Sequence, residues 1–114
     1  MRLRNVTGSR EMIAANDFVI HEPKGLKGKW KTIFENDNPI QLEIGMGKGR
    51  FLMEMAATHP DINYIGIEKY STVLLRALQK MEETPLDNLR FIRMDAEEIT
   101  EVFAEEEIDR IYLN

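Results

Sequence analysis

Ile40-Gln41-Leu42-Glu43-Ile44-Gly45-Met46-Gly47-Lys48-Gly49-Arg50 is the stretch on which the reading of this chain turns. An apolar run ends in a carboxylate and passes straight into three glycines at alternate positions. Pro39 stops any preceding helix and hands over to a strand at Ile40–Ile44. Glycines placed directly after a strand allow a tight turn and a close approach of backbone to a ligand. Beyond them Phe51, Leu52, Met55 and Ala56 recur as a helix face. Strand, glycine loop and helix together form the first unit of an alternating fold.

The alternation continues outward from that unit. His59-Pro60-Asp61 breaks the helix, and Tyr64-Ile65-Gly66-Ile67-Glu68 reads as a second strand ending in a second carboxylate. Ser71 is placed as the N-cap of a helix whose apolar stripe is Leu74, Leu75, Leu78 and Met81. Thr84–Asn88 turns the chain into a third strand over Leu89–Met94. Ile99, Val102 and Phe103 form a short helical seam, and Ile111-Tyr112-Leu113 is a fourth strand. Residues 11–38 read as irregular, apart from a short amphipathic stretch at Lys29–Glu35 that would pack Trp30, Ile33 and Phe34 on the domain. Strands alternating with helices imply an α/β architecture, a Rossmann-like doubly wound parallel sheet of which the first four strands are present. The expected division is a basic N-terminal arm with a short helix over residues 1–38, then a domain over residues 39–114 that breaks off at its fourth strand.

Composition narrows the function classes. A chain of 114 residues holds one domain with a real core, and 43% hydrophobic with 31% charged residues is ordinary for a globular protein. No apolar stretch approaches the ~18 residues of a membrane helix, and the basic N-terminus has no apolar region behind it to make a signal peptide. With no cysteine, disulfides, thiolate metal sites and a cysteine nucleophile are excluded. His21 and His59 stand apart, neither with a second ligand at helical spacing, so no metal is expected. These features fit a cytoplasmic protein.

The net charge of -5 hides an asymmetry. Residues 1–31 carry seven Lys/Arg against three Asp/Glu, whereas residues 32–114 carry eight against seventeen. Eight carboxylates without a base crowd Asp95–Asp109. Such a split marks either an arm that meets a polyanion or a solvated segment with no partner.

Three segments follow strand ends and therefore converge on one rim: Gly45–Gly49, Glu68–Lys69 and Asp95–Ala96. A dinucleotide site needs G-x-G-x-x-G, but counting from Gly45 the third position is Arg50, and counting from Gly47 it is Leu52. A P-loop needs a hydroxyl after Gly-Lys, and here Lys48 is followed by Gly49 and Arg50. What remains is a glycine loop that approaches a nucleoside bearing a cationic, zwitterionic tail. Glu68 is placed to accept both ribose hydroxyls, Asp95 to accept from an adenine amino group, and Glu43 to attract an ammonium.

These residues carry a resemblance. The Glu-x-Gly-x-Gly-x-Gly loop, Glu68 and Asp95-Ala96 resemble the cofactor motifs of class I S-adenosylmethionine methyltransferases. More narrowly, Leu42–Gly49 with Phe51, Gly66-Ile67-Glu68-Lys69, Asn5 through Arg10 and Ile111–Asn114 resemble the bacterial tRNA (guanine-N7-)-methyltransferase family. The resemblance covers essentially the whole chain. It implies S-adenosyl-L-methionine as cofactor, held by Glu43, Gly45, Gly47, Gly49, Glu68, Asp95 and Ala96, and methyl transfer to N7 of a guanine in tRNA. No metal is implied. In that family the fourth strand leads into an Asp-Pro-Trp-Pro-Lys type segment that supplies the acidic residue of the transfer site. This sequence stops at Asn114, so the expectation is the cofactor-binding portion of such an enzyme, inactive alone, with no catalytic residue assigned.

Arg2, Arg4, Arg10 and the Lys24–Lys31 group would reach RNA phosphates. Three other readings stay open: a cofactor-binding module without catalysis, another class I methyltransferase, or a dinucleotide-dependent oxidoreductase, since Glu68 would also suit the ribose of NAD. In the class I strand order the fourth strand lies beside the first. Ile111-Tyr112-Leu113 would then be a bare apolar edge, and self-association is expected.

Overall fold

The computed structural model describes residues 9–113. Four strands, β1 (Ile40–Ile44), β2 (Asn63–Glu68), β3 (Leu89–Arg93) and β4 (Arg110–Leu113), form one sheet in the order β3-β2-β1-β4. All pairings are parallel, with Leu42 opposite Ile65 on one side and Ile111 on the other. The chain starts in the middle, steps outward to β3, and returns to the far side of β1. Strand order therefore reverses at β1.

Parallel strands require crossovers, and helices supply them. Helix α3 (Arg50–Thr58) joins β1 to β2, α4 (Ser71–Glu83) joins β2 to β3, and a 3-10 turn (Ala96–Glu98) with α5 (Ile99–Val102) joins β3 to β4. On one face of the sheet Tyr64, Leu89 and Phe91 pack with Leu52, Ala56, Leu74, Leu78 and Met81. On the other, Ile40, Leu42, Ile65, Ile67 and Ile92 pack with Trp30, Phe34, Val102 and Phe103. Each Leu, Ile, Val, Met or Phe among them contributes about 1.5–3 kcal/mol on removal from water. The stripe expected on the second helix is buried throughout.

Two local expectations change. Ser71 is the first helical residue of α4, not its cap. The cap is Tyr70, which is extended (φ -95°, ψ 118°) and whose carbonyl accepts from Leu74 N–H at 3.0 Å. Residues 11–38 are also more ordered than their sequence suggests. Helix α1 (Ser9–Ala14) packs on α4 with Ile13 buried, and a 3-10 turn (Pro23–Leu26) precedes α2 (Lys31–Phe34). Elements this short form only because tertiary packing holds them.

The segment between α1 and α2 is built into the domain. Phe91 N–H donates to Phe18 O and Ile20 N–H donates to Phe91 O, both at 2.8 Å, so Phe18–Ile20 closes the outer edge of β3. Trp30 is fully buried, donates from Nε1 to Val102 O at 2.8 Å, and packs its ring 5.0 Å from Phe103. At the other edge of the sheet, Ile111 and Leu113 remain 48% and 80% exposed.

The charge asymmetry folds onto itself. Lys24 Nζ lies 3.1 Å from Glu98 and 3.5 Å from Glu101. The Glu107 carboxylate accepts N–H bonds from Gly28 (2.9 Å), Trp30 (3.1 Å) and Ala104 (3.0 Å), clamping the basic segment to the acidic one. Lys27 and Lys29 are exposed. Arg2, Arg4, Asn5 through Gly8 and the side chains of Ser9 and Arg10 lie outside the described residues. Glu107→Ala removes the shared acceptor of three N–H groups, one exposed and two half-buried, and is expected to lower stability in urea unfolding by roughly 1–3 kcal/mol. The control Glu105→Ala, at an exposed position, should change little; equal effects would show that the clamp contributes nothing.

Candidate functional site

The carboxyl ends of β1 and β2 are joined residue by residue. Gly45 N–H and Met46 N–H both donate to Ile67 O at 3.0 Å. Gly47 N–H then donates to Glu68 Oε1 at 2.9 Å, and Tyr70 N–H to Glu68 Oε2 at 3.0 Å. Gly47 and Gly49 take left-handed backbone conformations (φ 59° and 82°) that side chains disfavour. Gly49 also sits so near α4 that an added Cβ would come within 3.0 Å of Ala77 Cβ.

Glu68 is nearly buried, and each of its oxygens holds one backbone donor. A carboxylate offers about four lone-pair sites, so it retains capacity for two more donors, such as a ribose diol. Glu43 differs. It is 3% exposed and its Oε1 has no hydrogen-bond partner. Burial pushes its carboxyl above the ordinary 4.5. It borders an open cleft of about 520 Å³ whose walls include Met46, Gly47, Lys48, Arg50 and Phe51. Arg50 is turned to Glu54 at 3.5 Å. A buried acceptor without a donor suits a ligand that brings a cation or an N–H.

Asp95 stands at the end of β3 and caps the 3-10 turn that Ala96 begins. Its Oδ1 accepts from Glu97 N–H at 3.0 Å, while Oδ2 lies 3.4 Å from Lys69 Nζ. The Glu97 backbone bond, followed by Lys69, holds its carboxyl below the usual range. The structure therefore brings Glu43, the glycines and Glu68 together around one loop, and attaches Asp95 to the same rim through Lys69.

Sequence reasoning about the rim missed the parts played by Met46, Lys69 and Tyr70. Tyr70 is 61% exposed beside Glu68, with Lys69 Nζ 5.9 Å from its ring center; an aromatic following a strand-end carboxylate was the available signal. A second groove, about 540 Å³ between α1 and α4, is lined by Met12, Phe18, Leu75 and Leu78 and lies away from the carboxylates and glycines of the rim.

The raised Glu43 carboxyl has a consequence for stability. The folded chain keeps this proton to higher pH than the unfolded chain does, so the contribution of Glu43 falls as pH rises from 4.5 through the raised value. Glu43→Gln removes that slope. In urea unfolding the variant should gain on the wild type across this window and then hold a constant lead. A difference that stays flat from about pH 4 to about pH 8 would overturn the assignment.

Comparison with known proteins places this geometry. A family model described as "Putative methyltransferase" matches residues 37–114. Over its whole length the chain is 63% identical to a tRNA (guanine-N(7)-)-methyltransferase of Lachnoclostridium phytofermentans, covering 53% of that protein. It is 44% identical to the one from Bacillus subtilis, covering 54%. The chain thus spans about half the length of the curated relatives it matches. Among solved structures, an antibiotic-related methyltransferase superposes with TM-score 0.64 at 23% identity, over 75% of this chain and 45% of the other. The aminoglycoside resistance methyltransferase NpmB1 gives 0.63 at 23%, over 76% and 44%. At that identity the likeness concerns the fold, which is the class I methyltransferase-like Rossmann arrangement in its first four strands. The chain belongs to this methyltransferase family, and the curated relatives it matches along its whole length are bacterial tRNA (guanine-N(7)-)-methyltransferases.

Proposed function

We propose that this chain is the S-adenosyl-L-methionine-binding portion of a cytoplasmic tRNA (guanine-N7-)-methyltransferase. The observation that carries the reading is the buried, donor-less Glu43 oxygen beside a glycine loop tied to Glu68, at the point where strand order reverses. Residues 39–114 supply that rim, and residues 1–38, whose described part packs into the same domain, carry the basic side chains. Glu68 takes the ribose hydroxyls on its remaining lone pairs. Asp95, with Ala96 behind it, takes the adenine amino group, and Glu43 takes the ammonium of the methionine tail. Gly45, Gly47 and Gly49 let the backbone come close.

The cofactor supplies an electrophilic methyl group on a sulfonium. Guanine N7 presents a free lone pair at neutral pH, so no strong base is required, and the residues of this chain serve alignment. The segment that would present the guanine lies outside this sequence, and the chain alone is expected not to turn over. For tRNA, the exposed Lys27, Lys29 and Lys31 are the members of the Lys24–Lys31 group left to meet phosphates, Lys31 also donating to Asp37 O at 3.1 Å, whereas Lys24 is committed to Glu98 and Glu101. Such contacts weaken steeply with salt.

The test is titration with S-adenosylhomocysteine and, separately, NAD. Glu68→Ala should weaken the first by about tenfold or more, the range for hydrogen bonds to a charged group. Tight NAD binding would sink the methyltransferase reading in favor of a dinucleotide enzyme, against which Arg50 in the place of a third glycine already speaks. The open β4 edge supports a further part of the reading, self-association of the isolated chain. Sedimentation at tens of micromolar should show dimers or larger species, and a sharp monomer boundary would count against it.

A further inference from the structure

Gly66 is a buried glycine in the middle of β2, where glycine ordinarily weakens a strand. Its backbone does not explain it, because Gly66 is not among the positive-φ residues that favor glycine. The space above it does. A Cβ on Gly66 would collide with Met46 Sδ, would come within 2.6 Å of Leu52 Cδ1, and would crowd Met46 Cγ at 3.3 Å. Met46 and Leu52 are themselves 3% and 0% exposed. The missing side chain therefore leaves a socket in the sheet that the glycine loop fills with the Met46 side chain. Leu52, in the first turn of α3, closes it.

The socket is one of three adjoining contacts. Gly45 and Met46 place their N–H groups on Ile67 O, Met46 places its side chain over Gly66, and Gly47 places its N–H on Glu68. Gly66-Ile67-Glu68 is thus a mold for Gly45-Met46-Gly47, and backbone and side chain register the loop together. A methyl group at position 66 would displace the ends of the Met46 and Leu52 side chains, both shut in the core, and any displacement that Met46 passes to its backbone would draw Gly47 N–H from its 2.9 Å bond to Glu68.

We infer that Gly66 is a positioning residue of the cofactor site: by leaving room for Met46 it sets the height of the glycine loop and so presets the Glu68 carboxylate. Its bearing on cofactor affinity rests on the proposed function. The loop geometry itself is tested without a ligand.

Amide hydrogen exchange by NMR on the whole chain gives that test. Gly66→Ala should speed exchange at Gly47 by roughly tenfold relative to any change at the β1 amides. Met46→Ala empties the socket and should also loosen Gly47. In the double variant the methyl group added at position 66 enters the space that the Met46 side chain vacates, so Gly47 protection should return toward the wild-type value, less being lost than the two single changes predict together. Unchanged protection at Gly47 in Gly66→Ala would overturn the inference. So would equal loss at Gly47 and β1, which is what general weakening of the strand gives, or strictly additive losses in the double variant. With S-adenosylhomocysteine as probe, Gly66→Ala should bind about tenfold more weakly and the double variant should recover. If the wild type does not bind while the exchange pattern holds, the proposed function falls and the positioning of the loop stands. If wild type and Gly66→Ala bind equally, the role of Gly66 in the site falls.

Discussion

Parallel pairing of β1 with strands on both sides is the constraint on which everything else in this chain depends. A parallel strand cannot be reached by a hairpin, so each connection crosses a face of the sheet and every strand points the same way. All strand-to-helix loops then fall at one end. Glu43, Glu68 and Asp95 lie dispersed along the sequence, yet the topology delivers them to one rim. Reversal of strand order at β1 opens the crevice there, because α3, which follows β1, and α5, which leads from β3 into β4, pack on opposite faces of the sheet.

Within that frame the rim is organized by backbone donors more than by paired charges. Glu68 is held by two peptide N–H groups, and Asp95 by a peptide N–H first and a lysine second. Peptide donors carry no rotamer freedom, so they fix the carboxylates at a cost already met when the sheet forms. Their positions depend in turn on packing beneath them: Met46 over Gly66, and Gly49 against Ala77. The precision of the rim is thus inherited from the core.

Much of this was legible in the letters. The strand at Ile40–Ile44 matches to the residue, and the other three differ by a residue at one end, since apolar runs bounded by turn residues are a strong signal. What the letters conceal is long-range. No local pattern says that Phe18–Ile20 will seal β3, or that one carboxylate, Glu107, will gather three N–H groups from segments more than seventy residues apart. Ser71 was a reasonable cap by type and lost the place to Tyr70, whose N–H is drawn to Glu68. The basic and acidic stretches look like separate features along the sequence, yet Lys24, Glu98 and Glu101 meet in space. Charge segregation along a chain does not imply segregation on its surface.

The unpaired oxygen of Glu43 makes the rim and the core a single thermodynamic object. A carboxylate shut in protein without a donor is an unfinished piece of packing, and a cation that reaches it completes the interior. A ligand of that kind favors the folded over the unfolded chain in proportion to the logarithm of its concentration. Were such a ligand to bind here, the lifetime of the protein in a cell would follow the supply of that molecule, and scarcity would thin the population of the protein as well as leave it idle.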